Sequence, residues 1–292
     1  MVQCFVEQKN GFQREKTPEL LYMSRINAED CVHPRIMHAH EDFVEILLVR
    51  DGEGYYTING KRYQVKKGDL ILLNSGVIHD EYGSKVSNYA CAVSNIFKDG
   101  LRENAVIRDS QVPVIPAGDS FGVIDGILSQ MFYLLCGDLP GAEECCQHLL
   151  DALLKQIGCV LRKPLEDEKG FDTDRGILAE QIKDYIDHNY MNDVNLQTIS
   201  KELNVSLYYL AHTFKEFYGY SPMQYMLRRR IGEAQSLLIG TDLTVTRIAM
   251  LVGYGNPNHF NTIFSKNVGI SPRNYRILYR DKEKENLSYA VM

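Results

Sequence analysis

Residues 199–230 read ISKELNVSLYYLAHTFKEFYGYSPMQYMLRRR, and residues 248–280 read IAMLVGYGNPNHFNTIFSKNVGISPRNYRILYR. Laid over one another, the two stretches share their landmarks. Leu210 falls on Phe260, Phe214 on Phe264, Gly219 on Gly269, Ser221-Pro222 on Ser271-Pro272, and Tyr225 on Tyr275. The offset is 50 from the phenylalanine onward and 49 at the leading isoleucine, so one residue is gained in the turn. A unit repeated at a fixed period is one supersecondary structure used again. Two copies are too few for a solenoid, so this unit works as a pair.

Each copy reads as helix, tight turn, helix. In the first, Leu196, Ile199 and Leu203 form a short stripe, Asn204-Val205-Ser206 interrupts it, and Ser206 suits the N-cap of a helix over Leu207–Phe217. In the second, Val245, Ile248, Ala249 and Val252 form the stripe, and Gly253-Tyr254-Gly255 makes the turn. Asn256 then caps a helix with Pro257 at its first position, where a missing N–H costs nothing. In helix-turn-helix units the second helix enters the major groove of DNA. The two units are expected at about 196–217 and 245–267.

Residues 178–280 resemble the DNA-binding domain of the AraC/XylS regulators along its whole length. The residues that carry the resemblance begin with Ile199, Leu203, Tyr209-Leu210, Phe214-Lys215, Gly219-Tyr220-Ser221-Pro222 and Tyr225. Arg230-Ile231, Ala234 and Leu237-Leu238 follow, then Ile248-Ala249, Val252-Gly253-Tyr254, Asn258-His259-Phe260, Phe264, Lys266, Gly269, Ser271-Pro272 and Tyr275-Arg276. The resemblance implies two helix-turn-helix subdomains on one long helix, here about Pro222 to Leu238. It also implies base contacts from Tyr208, Ala211 and His212 in the first reading helix and from Asn258, His259, Asn261 and Thr262 in the second. Asparagine can pair bidentately with adenine, and an alanine or threonine methyl can touch thymine. The family often has arginine where His212 and Thr262 stand, so an A·T-leaning site is expected. Lys215, Arg247, Lys266 and Arg273 are expected at phosphates, where they add affinity without sequence information.

The charge divides along the same line. The whole chain has a net charge of −6, but the part from Arg175 onward carries +3 and the rest −9. An acidic chain read as a whole would argue against nucleic acid; its C-terminal part does not. Met1–Asn10 lacks the basic-then-apolar layout of a signal peptide, and no apolar run approaches bilayer length. Seven cysteines (4, 31, 91, 136, 145, 146 and 159) lack paired zinc spacing and are expected as free thiols of a cytoplasmic protein.

The first hundred residues are strand-like. Phe43–Arg50, Gly54–Ile58, Lys61–Val65 and Asp69–Leu73 are rich in β-branched and apolar residues, and Asn59-Gly60 is a strong hairpin signal between two of them. Short, evenly spaced strands predict a barrel or jelly roll. Within it lies a second constellation: His38, His40, Glu45 and Gly52, then Gly68 and His79. His38 and His40, two apart on a strand, face one side; Glu45 has the wrong parity unless a bulge falls near Glu41-Asp42. The spacing resembles the cupin motifs, with Asn74 where proline is usual and Gly83 where asparagine is usual. Three imidazoles and a carboxylate suit a divalent transition metal with open positions. Equally, the histidines could hydrogen-bond an organic effector or one another. His33 is read as surface. Tyr55, Tyr56, Tyr63 and Tyr82 supply the aromatics, and tyrosine can stack on a sugar and bond its hydroxyls, which makes a saccharide an admissible effector.

Phe121–Leu161 reads as two amphipathic helices broken at Gly137–Gly141. They could cover the barrel's open end; in the resembled family such helices make the dimer interface, and a homodimer is expected. The organisation is therefore α+β and multidomain: a cupin-like effector-binding barrel over 1–120, a helical dimerisation segment over 121–163 and an acidic linker over 164–174. An all-α DNA-binding domain with two helix-turn-helix motifs follows over 175–282, with a tail over 283–292. The expected function is a ligand-responsive regulator that binds a double-stranded operator, activates or represses transcription with RNA polymerase as a further partner, and has no catalytic role. The alternative from another class is a metal-dependent cupin enzyme, an isomerase or oxygenase, fused to a DNA-binding module. A third reading makes the barrel a dimerisation device alone.

Overall fold

Among the described residues, the N-terminal half has nine strands: β1 Val2–Phe5, β2 Glu19–Ile26, β3 Val44–Asp51, β4 Glu53–Ile58, β5 Lys61–Lys66, β6 Asp69–Leu73, β7 His79–Asp80, β8 Ser87–Ser94 and β9 Val114–Pro116. The structure is a computed structural model that describes residues 2–6, 17–27, 35–81, 85–137, 139–162 and 173–281. The expectations placed on Cys31, His33, Tyr82 and Gly83, on the linker up to 172 and on the tail 283–292 lie outside the described residues.

The strands form two antiparallel sheets, one in the order β1-β2-β8-β3-β6-β9 and a smaller one in the order β5-β4-β7. Period-two alternation explains how both faces of the larger sheet are used. Ile46, Leu48, Leu70, Leu72, Cys91 and Val93 point to one side, while Leu47, Val49, Ile71, Leu73 and Ala90 point to the other, where Tyr56, Ile58 and Val65 of the smaller sheet meet them. With apolar partners on both sides, Val44–Val49 of β3 reads as a nearly continuous apolar run in which Glu45 is the exception. The β4–β5 hairpin turns at Asn59 and Gly60, both with positive φ (48° and 81°), as the Asn-Gly pair predicts.

Helices α1 (Phe121–Cys136) and α2 (Ala142–Val160) lie on the outer face of the larger sheet. Their stripes Ile124, Leu128 and Met131, and Leu150, Leu153 and Ile157, join the cluster formed by that face. The helices thus cover a sheet face and not an open end, and they keep Val123 (52 % exposed) and Tyr133 (65 %) on their outer side. Cys4 in β1 and Cys136 at the end of α1 form a disulfide, which corrects the expectation of free thiols throughout. The partners are 132 residues apart and meet because α1 lies across the sheet edge that β1 forms, a proximity that local spacing does not encode. Cys91, Cys145, Cys146 and Cys159 are free.

The C-terminal half is helical: α3 Asp174–Asn189, α4 Leu196–Glu202, α5 Leu207–Tyr218, α6 Pro222–Gly240, α7 Val245–Leu251, α8 Pro257–Val268 and α9 Pro272–Arg276, with a π turn over Ile277–Asp281. The two copies repeat down to their caps. Ser206 accepts from the Tyr209 N–H ahead of α5, and Asn256 accepts from the Asn258 and His259 N–H groups ahead of α8. Gly219 and Gly269 end those helices with φ of 74° and 90°. Ser221 and Ser271 then cap α6 and α9, each before a proline. Side-chain N-caps of this kind contribute about 1 kcal/mol each. Leu210, Phe214, Phe260 and Phe264 are fully buried, so the landmarks that align the copies are core.

Leu150→Ala, at the contact of α2 with the larger sheet, is expected to cost about 2–5 kcal/mol in urea unfolding, whereas Lys155→Ala on the exposed side of the same helix should stay within about 0.5 kcal/mol.

Candidate functional site

Two segments bring the histidines together. Residues 36–40 run ahead of β3, and His38 forms a single antiparallel bridge with His79 of β7. Its N–H donates to the His79 carbonyl at 2.9 Å, and the His79 N–H donates back at 2.8 Å. One residue pair is enough to fix both side chains. The Gly76 N–H donates to the His40 carbonyl at 2.7 Å and holds the end of the segment. The imidazole centroids lie 5.0 Å (His38–His40), 4.1 Å (His38–His79) and 5.4 Å (His40–His79) apart. One nitrogen from each falls within 4.8 Å of the others.

Glu45 completes the group. Its Oε2 lies 3.3 Å from His79 Nε2 and 3.7 Å from His40 Nε2, and its Oε1 accepts from the Tyr22 hydroxyl at 2.8 Å. The parity objection does not apply, because 38–40 is not part of β3: residues 41–43 separate the two and break the alternation. Within β3, Glu45 keeps the parity of Leu47 and Val49 and faces the smaller sheet.

The tautomers follow from the backbone. Nδ1 of His38 lies 3.0 Å from the Ile36 carbonyl, and Nδ1 of His79 lies 3.0 Å from the Val77 carbonyl. A carbonyl only accepts, so each Nδ1 carries its ring hydrogen and each Nε2 faces inward. The Nε2 atoms of His38 and His40 are buried and have no hydrogen-bond partner among the described residues. Burial, reinforced by His79 and Arg35, holds His38 well below the ordinary imidazole range. Burial likewise lowers His40 to about 3, against the opposing pull of Glu45. Burial alone would raise the Glu45 carboxyl, but the hydrogen bond with His79 and the neighbouring imidazoles and Arg35 bring it to about 2. Glu45 is thus a buried carboxylate beside the neutral His38 and His40 rings.

The interior space beside Glu45 is bounded by Tyr22, Arg35, Tyr56, His79, Glu81 and Asn88 and measures about 10 Å³, roughly the room of one water. Tyr56 is buried there, donating toward Glu81 (3.5 Å) and accepting from Asn88 (3.1 Å). Tyr55 is not: it stands on the opposite face of β4, 46 % exposed beneath the Arg62 guanidinium, which corrects its expected place in the pocket. Tyr22, Arg35 and Glu81 went unnamed in the sequence reading. Burial and the Glu45 charge push the Glu81 carboxyl up to about 7. Asn74, the departure from the cupin pattern, donates to the Ile107 carbonyl and to Asp109 and accepts from the Val106 N–H. It pins the loop beside the cluster.

On the helical half, Tyr208, His212 and Lys215 of α5 are exposed and Ala211 is half-buried, while Asn258, His259, Asn261, Thr262 and Lys266 of α8 are all exposed. Arg247 and Arg273 are exposed as well. The Tyr208 and His212 rings stack at 5.9 Å. Arg175 and Glu216 flank His212: Arg175 pairs with Glu216, and Glu216 lies 3.8 Å from the His212 ring. The spacing of His212 and Glu216 was legible as an i, i+4 pair; the reach of Arg175 was not.

Comparison with known proteins gives two family matches, an AraC-like ligand binding domain over residues 21–90 and a helix-turn-helix domain over 199–277. An uncharacterized HTH-type transcriptional regulator of Escherichia coli K12, YdiP, is 27% identical over 261 residues, 86% of this chain and 84% of that protein. The HTH-type transcriptional activator RhaS of Salmonella schwarzengrund is 25% identical, over 84% of this chain and 91% of its own length. A solved C-terminal domain of the two-component response regulator yesN from Fusobacterium nucleatum is 35% identical over 33% of this chain and 95% of that domain, with a TM-score of 0.33.

Proposed function

The chain belongs to the AraC-type transcriptional regulators, an AraC-like ligand-binding domain followed by a helix-turn-helix DNA-binding domain, and we propose that its ligand site holds a divalent transition-metal ion. His38, His40, His79 and Glu45 are the holding residues. The observation that carries this reading is the pair of carbonyls, Ile36 O and Val77 O, that fix hydrogen on Nδ1 and turn Nε2 inward toward a buried carboxylate. Ligand histidines typically donate their second nitrogen in this way. Imidazole and carboxylate together suit zinc, iron, copper or nickel. A bound ion would supply positive charge and a rigid cross-link between segment 36–40, β3 and β7.

An organic effector is the second reading of the same site, and a saccharide would use Tyr56, Glu81 and Asn88 as hydroxyl partners. About 10 Å³ holds no sugar ring, so those side chains would have to move first. Glu81, near 7, is also the acid/base group that a cupin enzyme would need. The described relatives are transcriptional regulators, and binding without turnover is the function we assign to the site.

On DNA, the two reading helices would lie about one helical turn, roughly 34 Å, apart on one side of the duplex. Tyr208, Ala211, His212, Asn258, His259, Asn261 and Thr262 would face bases, and Lys215, Arg247, Lys266 and Arg273 phosphates. A homodimer formed through the outer sides of α1 and α2, where Val123 and Tyr133 are exposed, would bind a cytoplasmic operator as a pair and meet RNA polymerase there.

Elemental analysis of protein purified without chelator or nickel resin is expected to give close to one metal per chain, lost in His38→Ala/His79→Ala; a metal-free parent would transfer the site to an organic effector. His212→Ala should weaken operator binding by ~1–3 kcal/mol and leave random duplex nearly unaffected. Equal loss on both duplexes would place His212 at a phosphate. Lys215→Ala and Lys266→Ala should each lower the slope of log affinity against log salt by about 1 for operator and random duplex alike, read by fluorescence anisotropy across a salt series.

A further inference from the structure

The two segments that carry the histidines have a second face, and the DNA-binding half occupies it. His38, His40 and His79 turn into the cluster with Glu45. Met37, Ala39 and Ile78, interleaved with them, and Ile36 ahead of them lie instead in the apolar core of the helical half together with Met226, Ile231 and Leu238 of α6. Polar contacts reinforce this seam. Arg228 of α6 pairs with Asp80, the residue after His79, and Arg35 Nη2 donates to Ser236 Oγ at 3.2 Å.

Two residues of α6 meet the backbone of the ribbon formed by residues 36–40 directly. Gly232 lies so near that a Cβ there would fall 1.9 Å from the Met37 carbonyl oxygen and 2.5 Å from that of Ile36. The nearest obstacles are all backbone of the ribbon, so a side chain at 232 cannot be accommodated by a rotamer change. Gln235, three residues on and fully buried, accepts the Ile36 N–H on its Oε1 at 2.8 Å. Ile36 in turn is the residue whose carbonyl takes the His38 Nδ1 hydrogen. A chain of contacts therefore runs from Gln235 to the Ile36 peptide, to the His38 ring, and through the His38–His79 bridge to the second histidine.

We propose that Gln235 and Gly232 are positioning residues of the histidine site. The N-terminal ligand site is completed by the DNA-binding half, and docking of α6 and binding of a cation each favour the other. This rests on the metal reading for its ligand but not for its geometry. Because coupling between two equilibria is reciprocal, a site that gains affinity from docking must stabilise docking when it is filled. Occupancy would then bear on α6, the helix between the two reading units.

The test uses the full chain, stripped with chelator and titrated with Co2+ alone, with the visible d–d spectrum reporting ligand geometry. Gly232→Ala, which raises helix propensity but cannot dock, and Gln235→Leu, which removes the acceptor, are each expected to lower Co2+ affinity about tenfold and to alter the spectrum. Gln235→Glu, which keeps an oxygen where Ile36 donates, should restore both. Circular dichroism and binding to random duplex verify that the helical half remains folded. If Gly232→Ala fails to fold, Gln235→Leu and its rescue decide. Affinities within about twofold of the parent in folded variants would overturn the proposal. If the parent takes up no Co2+, the metal reading falls, and 15N spectra of the histidine rings decide this one without metal. A His38 Nδ1–H tautomer present in the parent and lost in Gly232→Ala supports it, and the same tautomer in both overturns it.

Discussion

The two backbone hydrogen bonds between His38 and His79 are the interaction on which this architecture turns. They are a single bridge, not a ladder, yet they bring together a segment before β3 and the two-residue strand β7, which pairs with β4 of the smaller sheet. Through them the smaller sheet is tied to residues that lead into the larger one. Alternation on either side of the bridge then does two things at once: it turns imidazoles inward and delivers Met37, Ala39 and Ile78 to the helical half. Without that pairing the inward nitrogens would have no common centre, and α6 would have no surface of this shape to sit on.

Electrostatics inside the cluster reflect the same constraint. A carboxylate with no opposite charge beside it is costly to bury, and the neighbouring imidazoles are the groups that burial makes least willing to protonate. Glu45 stays anionic with the Arg35 guanidinium near it, while His38 and His40 stay neutral. The Tyr22 hydroxyl, raised above its ordinary range by burial and by Glu45, remains a donor to that carboxylate and adds no charge.

What could be read in the sequence was what local rules encode. The Asn59-Gly60 turn, the caps Ser206 and Asn256, the proline at the start of α8 and the register of the two repeats all concern residues within a few positions of one another, and each stands as its chemistry predicts. The strands β2 and β8 went unnamed because they are buried on both faces and hold residues such as Ser24, Asn88, Ala90 and Cys91 that do not announce a strand. At the site, three histidines and a glutamate were legible by spacing, but the parity argument treated 38–45 as one strand when residues 41–43 interrupt it. Tyr55 was placed by proximity to Tyr56, although neighbours on a strand face opposite ways. Arg35, Gln235 and the Cys4–Cys136 bond depend on contacts across the fold: Ile36 and Gln235 are 199 positions apart, and no local pattern links them.

Helix α6 shows why the DNA-binding half cannot be treated as an appendage. A surface helix buries one stripe, but α6 buries Tyr225, Met226, Arg229, Ile231, Gly232, Ala234, Gln235, Leu238 and Ile239, residues spread around its circumference. It packs on α3 and α5 before it, on α7 and α9 after it, and on the histidine-bearing ribbon. Tyr218, at the end of the first reading helix, meets the hairpin turn so closely that a Cβ on Gly60 would overlap its ring. A close-packed helix enclosed on this many sides moves with its neighbours or not at all. A displacement of the ribbon would be carried to both reading helices together and would leave the spacing between them unchanged.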